Sequence, residues 1–329
     1  MTDTIRKFFK DRGFREMFTP ILVPVPSAET NLEVFETQLR TAGGKKRRGF
    51  LIMSPEYSLK KLLAAGSGNI FEITRSFRNE EEASGSHNPE FSILEWYRTN
   101  ANYLMIMEDF EELFTKIVQV TKGDTGEGKF TYQGQEYDLT RPWMRISVAE
   151  AFEKYAGIGT EAMLSETGLK AEAKMRGYQV TENTTWEQVF YQIFFNEIET
   201  KLKAARRPVF VYDYPASQAA LSRKKSEDPR FAERFEVYLA GLELGNCFSE
   251  LTDATEQSRR FEADMAERKN SGKTEYPADA DLIAALKSGM PEAAGIAVGV
   301  DRLVMLAADA ASISETLLFP GEEIFELGE

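Results

Sequence analysis

Two stretches carry the two-residue period of a β-strand, IFEITRSFR (70–78) and FSILEWYR (91–98), and the polar run NEEEASGSHNPE joins them. That arrangement predicts an antiparallel hairpin, and its period fixes which side chains share a face. Phe91, Ile93, Glu95 and Tyr97 take one side of the second strand, and Ser92, Leu94, Trp96 and Arg98 take the other. On the first strand Arg78 shares a face with Thr74 and Ser76. A buried sheet face bearing a glutamate and a tyrosine hydroxyl needs partners for both, and a ligand ammonium would supply them. Phe91 beside the turn offers a stacking platform for a base. Arg78 offers a two-pronged donor for phosphate. His87, the single histidine, lies in the turn. On chemistry alone, an ordinary hairpin with a solvated polar face reads equally well.

The remaining pattern places this hairpin in an α+β fold. Residues 4–13 read as a helix ending at Gly13, and 16–23 as extended chain with Pro20. TAGGKKRRG (41–49) reads as a turn before a short strand, FLIMS. In SPEYSLKKLLAAG, Ser54 suits an N-cap, Pro55 the first helical position and Gly66 the stop. A helix is expected over 103–121 and a hairpin in GKFTYQGQEYDL. SVAEAFEKYAG opens with a capping box from Ser147 to Glu150. TWEQVFYQIFFNEIETKLKA reads as one long helix, and PVFVYDYP (208–215) and RFEVYLAGLELGNCFSEL (234–251) as strands. Helices follow in DATEQSRRFEADMAERKNSG and DLIAALKSG, then a glycine-punctuated strand entering a helix, GIAVGVDRLVMLAADAA. The expectation is one domain over 1–329, an antiparallel sheet flanked by helices rather than a βαβ ladder. Residues 157–183 read as a variable helical insertion.

Composition narrows the chemistry. One cysteine, Cys247, and one histidine make zinc held through nitrogen and sulfur improbable. A metal here is expected to be a hard ion on carboxylates and phosphates, Mg2+. The net charge of −13 opposes nonspecific nucleic-acid binding. The basic runs Lys45–Arg48 and Arg223–Lys225 read as solvated loops. No apolar run of membrane-spanning length occurs, and the N-terminus lacks a signal-peptide pattern, so a cytoplasmic protein is expected.

Four ordered blocks carry a resemblance. FRNE…HNPEF…LEWY resembles motif 2 of the class II aminoacyl-tRNA synthetases in their lysyl branch, and GIAVGVDR (295–302) resembles motif 3. LELGNCFSELTDATEQ (242–257) is similar to the stretch between them, and SPEYSLKKLLAAG to the helix before motif 2. The core begins at the first residues, so the N-terminal anticodon-binding barrel of lysyl-tRNA synthetases is expected to be absent. PASQAAL (215–221), LEWYR and SPEY together look most like the elongation factor P beta-lysyltransferase family.

The resemblance implies ATP-dependent activation of lysine or β-lysine as an adenylate, then transfer to a lysine side chain of elongation factor P. It implies ATP and Mg2+, a homodimer formed through the first helix and the strand containing Pro20, no membrane and no tRNA. Arg78, Arg302 and Glu243 would be catalytic. Arg78, Asn79, Glu80, His87, Asn88, Phe91, Glu243, the Leu244 backbone, Gly299 and Arg302 would bind ATP. Ser54, Pro55, Glu56, Glu95, Tyr97, Asn246, Glu250 and Ala297 would bind the substrate. Glu243 and Glu250 would face the metal. These two are seven residues apart and would point oppositely on a regular strand, so a bulge or turn is expected at Gly245–Asn246. Three departures stand out: no arginine directly precedes His87–Asn88, Ala297 replaces the glycine of lysyl-tRNA synthetases, and Cys247 stands where many relatives carry glycine. Cys247 reads as a small core residue. A minimal tRNA ligase and a non-catalytic paralogue remain the rival readings.

Overall fold

The computed structural model describes residues 1–27, 32–80, 85–123 and 128–326. The chain divides into two compact units, Met1–Asp124 with Ser249–Glu329, and Thr125–Phe248. Both combine antiparallel strands with helices, the α+β class expected from the sequence. The basic run Lys45–Arg48 is exposed but is not all turn: residues Lys46–Leu51 form a strand paired with Glu36–Arg40. Glycine and four cations suggested a loop there, yet the backbone continues the pairing around Thr41–Lys45.

In the first unit the two hairpin strands are Ile70–Phe77 and Glu90–Thr99, paired antiparallel with Ser76 opposite Phe91 and Glu72 opposite Glu95. The glycine strand, Ala293–Gly299, pairs antiparallel on the other side of Glu90–Thr99. Its register sets Gly295 against Tyr97, Ala297 against Glu95 and Gly299 against Ile93. The two faces of this sheet differ in chemistry. One is aromatic: Phe9 of the helix Thr2–Asp11 stacks on Phe71 at 4.9 Å and lies 5.0 Å from Trp96. Trp96 in turn stacks near Phe110 of the helix Tyr103–Lys122. Each such side chain contributes roughly 1.5–3 kcal/mol on burial, enough to pin the register. The opposite face then has no freedom: it must present Glu72, Glu95, Tyr97, Ala297 and Gly299 together.

In the second unit the strand Met144–Ser147 runs parallel to Val209–Pro215, which pairs antiparallel with Phe231–Leu239. A tight turn at Ala240–Gly241, both at positive φ, leads into Leu242–Ser249. The capping box at Ser147 and Glu150 forms as the spacing predicts. Residues 157–183 are helical over Thr160–Leu164 and Glu166–Met175, and they bury Met163, Leu169 and Ala173 with Val189, Phe190 and Ile193. The long helix expected after them is interrupted by a π-helical turn at Phe194–Glu199.

Candidate active site

The helix Glu56–Ala64 starts at SPEY and carries the first acidic group. Pro55 occupies the cap position rather than the first turn, and the Ser54 hydroxyl accepts the Glu56 N–H at 3.3 Å. One helical turn on, Lys60 is buried and lies between two carboxylates. Its Nζ is 2.6 Å from Glu56 Oε1 and 2.5 Å from Glu250 Oε2. Burial disfavours the Lys60 ammonium, but Glu250 and Glu56 outweigh it and hold the pKa above the usual lysine value. Glu250 is pushed above the usual carboxylate range by burial, against the pull of Lys60.

Beside this triad, the Tyr97 hydroxyl donates to Glu95 Oε2 at 3.0 Å, both groups fully buried. Burial, and then the Glu56 charge, raise the Glu95 pKa well above the carboxylate range, while the Tyr97 and Ser54 hydroxyls pull it down. Glu95 Oε1 has no hydrogen-bond partner among the described residues. A buried carboxylate oxygen left without a donor is costly, so its geometry is that of a receptor for a cation. Gly295 makes room for this pair: a Cβ there would lie 2.3 Å from the Tyr97 ring and 3.0 Å from Glu250 Oε1. Gly299 differs. A Cβ on it would meet only the Arg302 side chain at ordinary contact distance, 3.6 Å or more. The protein's own packing therefore does not require glycine at 299.

The hairpin's open end holds the arginines. Arg78 is half-buried, its backbone N–H bonds to the Pro89 carbonyl, and its guanidinium lies 5.2 Å from the Phe91 ring centroid. Asn79 donates its N–H to the Glu33 carbonyl, and Glu80, exposed, sits at positive φ. Arg302 is the third residue of the helix Val300–Ala308 and donates to His87 Nε2 at 2.9 Å and to the Ser86 carbonyl. A guanidinium can only donate, so Nε2 is the acceptor and the proton of this ring sits on Nδ1, facing Ser86 Oγ at 3.3 Å. Asn88 Oδ1 accepts the Gly321 N–H. The turn residues 81–84, which include most of the segment lacking an arginine, lie outside the described residues.

In the second unit, a register shift opposite Val237 and Tyr238 makes Leu244 the bulged residue, one position before the bulge expected at Gly245–Asn246. The extra residue puts Glu243 on the face of Asn246, with Arg234, Glu236 and Tyr238. These side chains form a buried network. Arg234 donates to Asn246 Oδ1 at 3.1 Å and to Glu236 Oε1 at 2.5 Å. Tyr214 and Tyr238 both donate to Glu236 Oε2, at 2.6 and 2.5 Å. Cys247 is fully buried, as a core residue should be.

Four residues of these clusters escaped the sequence reading. Lys60 stands four residues after Glu56, a spacing that pairs charges on a helix, and that signal was available. Glu72 lies across from Glu95, accepts the Thr19 N–H at 2.8 Å, and is raised in pKa by burial. Arg234 and Glu236 read as routine alternation in a strand.

The residues 1–323 match the family of class II tRNA synthetases for aspartate, lysine and asparagine (D, K and N). The chain belongs to that family. Among its relatives, the elongation factor P–(R)-beta-lysine ligase of Edwardsiella ictaluri is 38% identical over 317 residues, 96% of this chain and 91% of the relative. The ligase of the same description from Mannheimia succiniciproducens is 39% identical over 316 residues, with the same coverage. The lysine–tRNA ligase of Magnetococcus marinus is 39% identical over 327 residues, but this chain spans only 61% of it.

Proposed function

We propose that the protein uses ATP to activate lysine or (R)-β-lysine as an adenylate and transfers it to a lysine side chain of elongation factor P. The observation that carries this reading is Glu95, a fully buried carboxylate whose Oε1 has no hydrogen-bond partner among the described residues, in a pocket that also holds Glu56, Glu250 and Tyr97. A substrate ammonium completes it. Likeness over 96% of this chain and 91% of each relative to the two elongation factor P–(R)-beta-lysine ligases favours the protein acceptor.

In the first step the amino-acid carboxylate attacks the α-phosphorus of ATP and pyrophosphate leaves. Arg78 is the donor to the α-phosphate, where charge grows in the transition state. Adenine stacks on Phe91, and Asn79, Glu80, His87, Asn88 and the Leu244 backbone complete nucleotide binding. Gly299 leaves space for the nucleotide, consistent with packing that does not itself demand glycine there. Arg302 reaches the terminal phosphates by leaving, or sharing, its bond to His87. Mg2+ would neutralise phosphate charge, with Glu243 as the protein carboxylate; Glu250 has only the oxygen that Lys60 does not pair. Ser54, Pro55, Asn246 and Ala297 line the amino acid. In the second step the acceptor lysine attacks the adenylate carbonyl and AMP leaves.

ATP–pyrophosphate exchange with α-lysine and β-lysine, followed by labelling of elongation factor P against tRNA, tests this. Exchange and labelling of elongation factor P are expected. Exchange with neither amino acid would refute the activation step, and labelling of tRNA alone would refute the acceptor.

The active form is proposed to be a homodimer. Phe18 is 80% exposed and Ile21 and Leu22 are partly exposed, an apolar stretch beside Pro20 that a second copy would cover. Light scattering at micromolar concentration should give twice the chain mass; a monomeric mass would count against the assignment.

A further inference from the structure

Lys60 is fully buried in the acidic pocket, yet the activation chemistry above does not use it. Three carboxylates, Glu56, Glu95 and Glu250, share this pocket with one ammonium. A lysine adenylate brings two further ammonium groups, and its own carboxylate is neutralised in the mixed anhydride. With Glu72 held by the Thr19 N–H and the adenylate phosphate facing Arg78, the three carboxylates Glu56, Glu95 and Glu250 then meet three ammonium groups. Without Lys60 the sum would fail by one charge in a site where water cannot screen the difference.

Geometry adds a second role. Lys60 Nζ lies against Glu56 Oε1 and Glu250 Oε2. The other oxygen of Glu250, Oε1, is turned toward Gly295 and the Tyr97 ring, 3.0 Å from where a side chain at 295 would begin. Tyr97 in turn holds Glu95. We propose that Lys60 is a positioning residue: an internal ammonium that clamps Glu56 and Glu250 so that their remaining oxygens, with Glu95 Oε1, receive a diamine. This rests on the reading of the pocket as the amino-acid site. A monoamine amino acid would leave one carboxylate unpaired, so the same clamp selects against it.

The test is calorimetric binding of L-lysine, β-lysine and, separately, ATP to the full chain and to its Lys60→Met and Lys60→Arg variants, with melting temperatures alongside. Lys60→Met is expected to weaken lysine or β-lysine binding at least tenfold while ATP binding stays within twofold. Lys60→Arg should recover most of the loss. Should Lys60→Met not fold, Lys60→Arg and Lys60→Gln carry the comparison, with glutamine showing the loss and arginine the recovery. Unchanged diamine affinity in a folded neutral variant would overturn the proposal, as would parallel losses for ATP and lysine that track the folded fraction. Diamine binding that depends on Lys60 in a chain without pyrophosphate exchange would sustain the clamp and refute the proposed activation instead. A wild-type chain that binds neither diamine would overturn both.

Discussion

Replacing Arg78 with alanine is expected to reduce the turnover of ATP–pyrophosphate exchange by about 10²–10³-fold, the typical loss when one preorganised transition-state donor is removed. Three features make this residue the critical one. Its backbone is fixed by the bond to the Pro89 carbonyl at 3.0 Å, so the side chain departs from a rigid point of the hairpin. It is only half-buried, which leaves the guanidinium access to a ligand. Its guanidinium also lies 5.2 Å from the Phe91 centroid, so base and phosphate would be bound by neighbouring groups. The cation–π contact with Phe91 contributes about 0.5–1 kcal/mol at such a site, and the melting temperature of the alanine variant, measured alongside, separates lost stability from lost turnover. Arg78→Lys tests the geometry rather than the charge. An ammonium lacks the planar two-pronged donor, so lysine should recover only a small part of the rate. Exchange within threefold of wild type in the alanine variant would show that another group stabilises the α-phosphate.

How much of this was legible in the sequence depends on whether local rules suffice. The hairpin was, because period two fixes which side chains share a face. Phe71 and Trp96 must face Phe9 and Phe110, so Glu95 and Tyr97 must face away. The pairing of Glu95 with Ala297 followed once the glycine strand joined the sheet. The bulge was legible as a need, since Glu243 and Glu250 are an odd number apart, but its position was not. Nothing local distinguishes Leu244 from Gly245 or Asn246 as the extra residue; the register of Phe231–Leu239 opposite decides it. Lys60 was missed for a different reason. A lysine on an amphipathic helix is normally solvated, and only the tertiary placement of Glu250 against Glu56 makes it an interior cation. The strand at Lys46–Leu51 was likewise hidden, because four cations after two glycines look like a loop when the exposed partner Glu36–Arg40 is itself polar.

Glu236→Ala should be the most damaging single change in the second unit, destabilising it by about 3–5 kcal/mol, the usual cost of removing one partner of a buried ion pair. The carboxylate accepts three donors: the Arg234 guanidinium and the Tyr214 and Tyr238 hydroxyls. Arg234 is itself buried, with its remaining donors on Asn246 and the Gln218 carbonyl. Alanine would thus leave a buried cation without the carboxylate it donates to, with the Glu243 charge remaining nearby, and would remove the acceptor of two phenols. For a unit of this size the midpoint should fall by on the order of 10 °C. Glu236→Gln separates the contributions. Its amide oxygen can still accept, so part of the stability should return, but Arg234 loses its directly bonded carboxylate. In the proposed reading Asn246 contacts the amino acid and Arg234 fixes it, so the folded glutamine variant should bind lysine more weakly while its ATP affinity is kept. Thermal unfolding of both variants, with amino-acid and ATP affinities measured on the glutamine one, checks this. An alanine variant that melts within 2–3 °C of wild type, a shift worth under about 1 kcal/mol, would mean that water replaces the lost carboxylate and that the network is not what fixes this face.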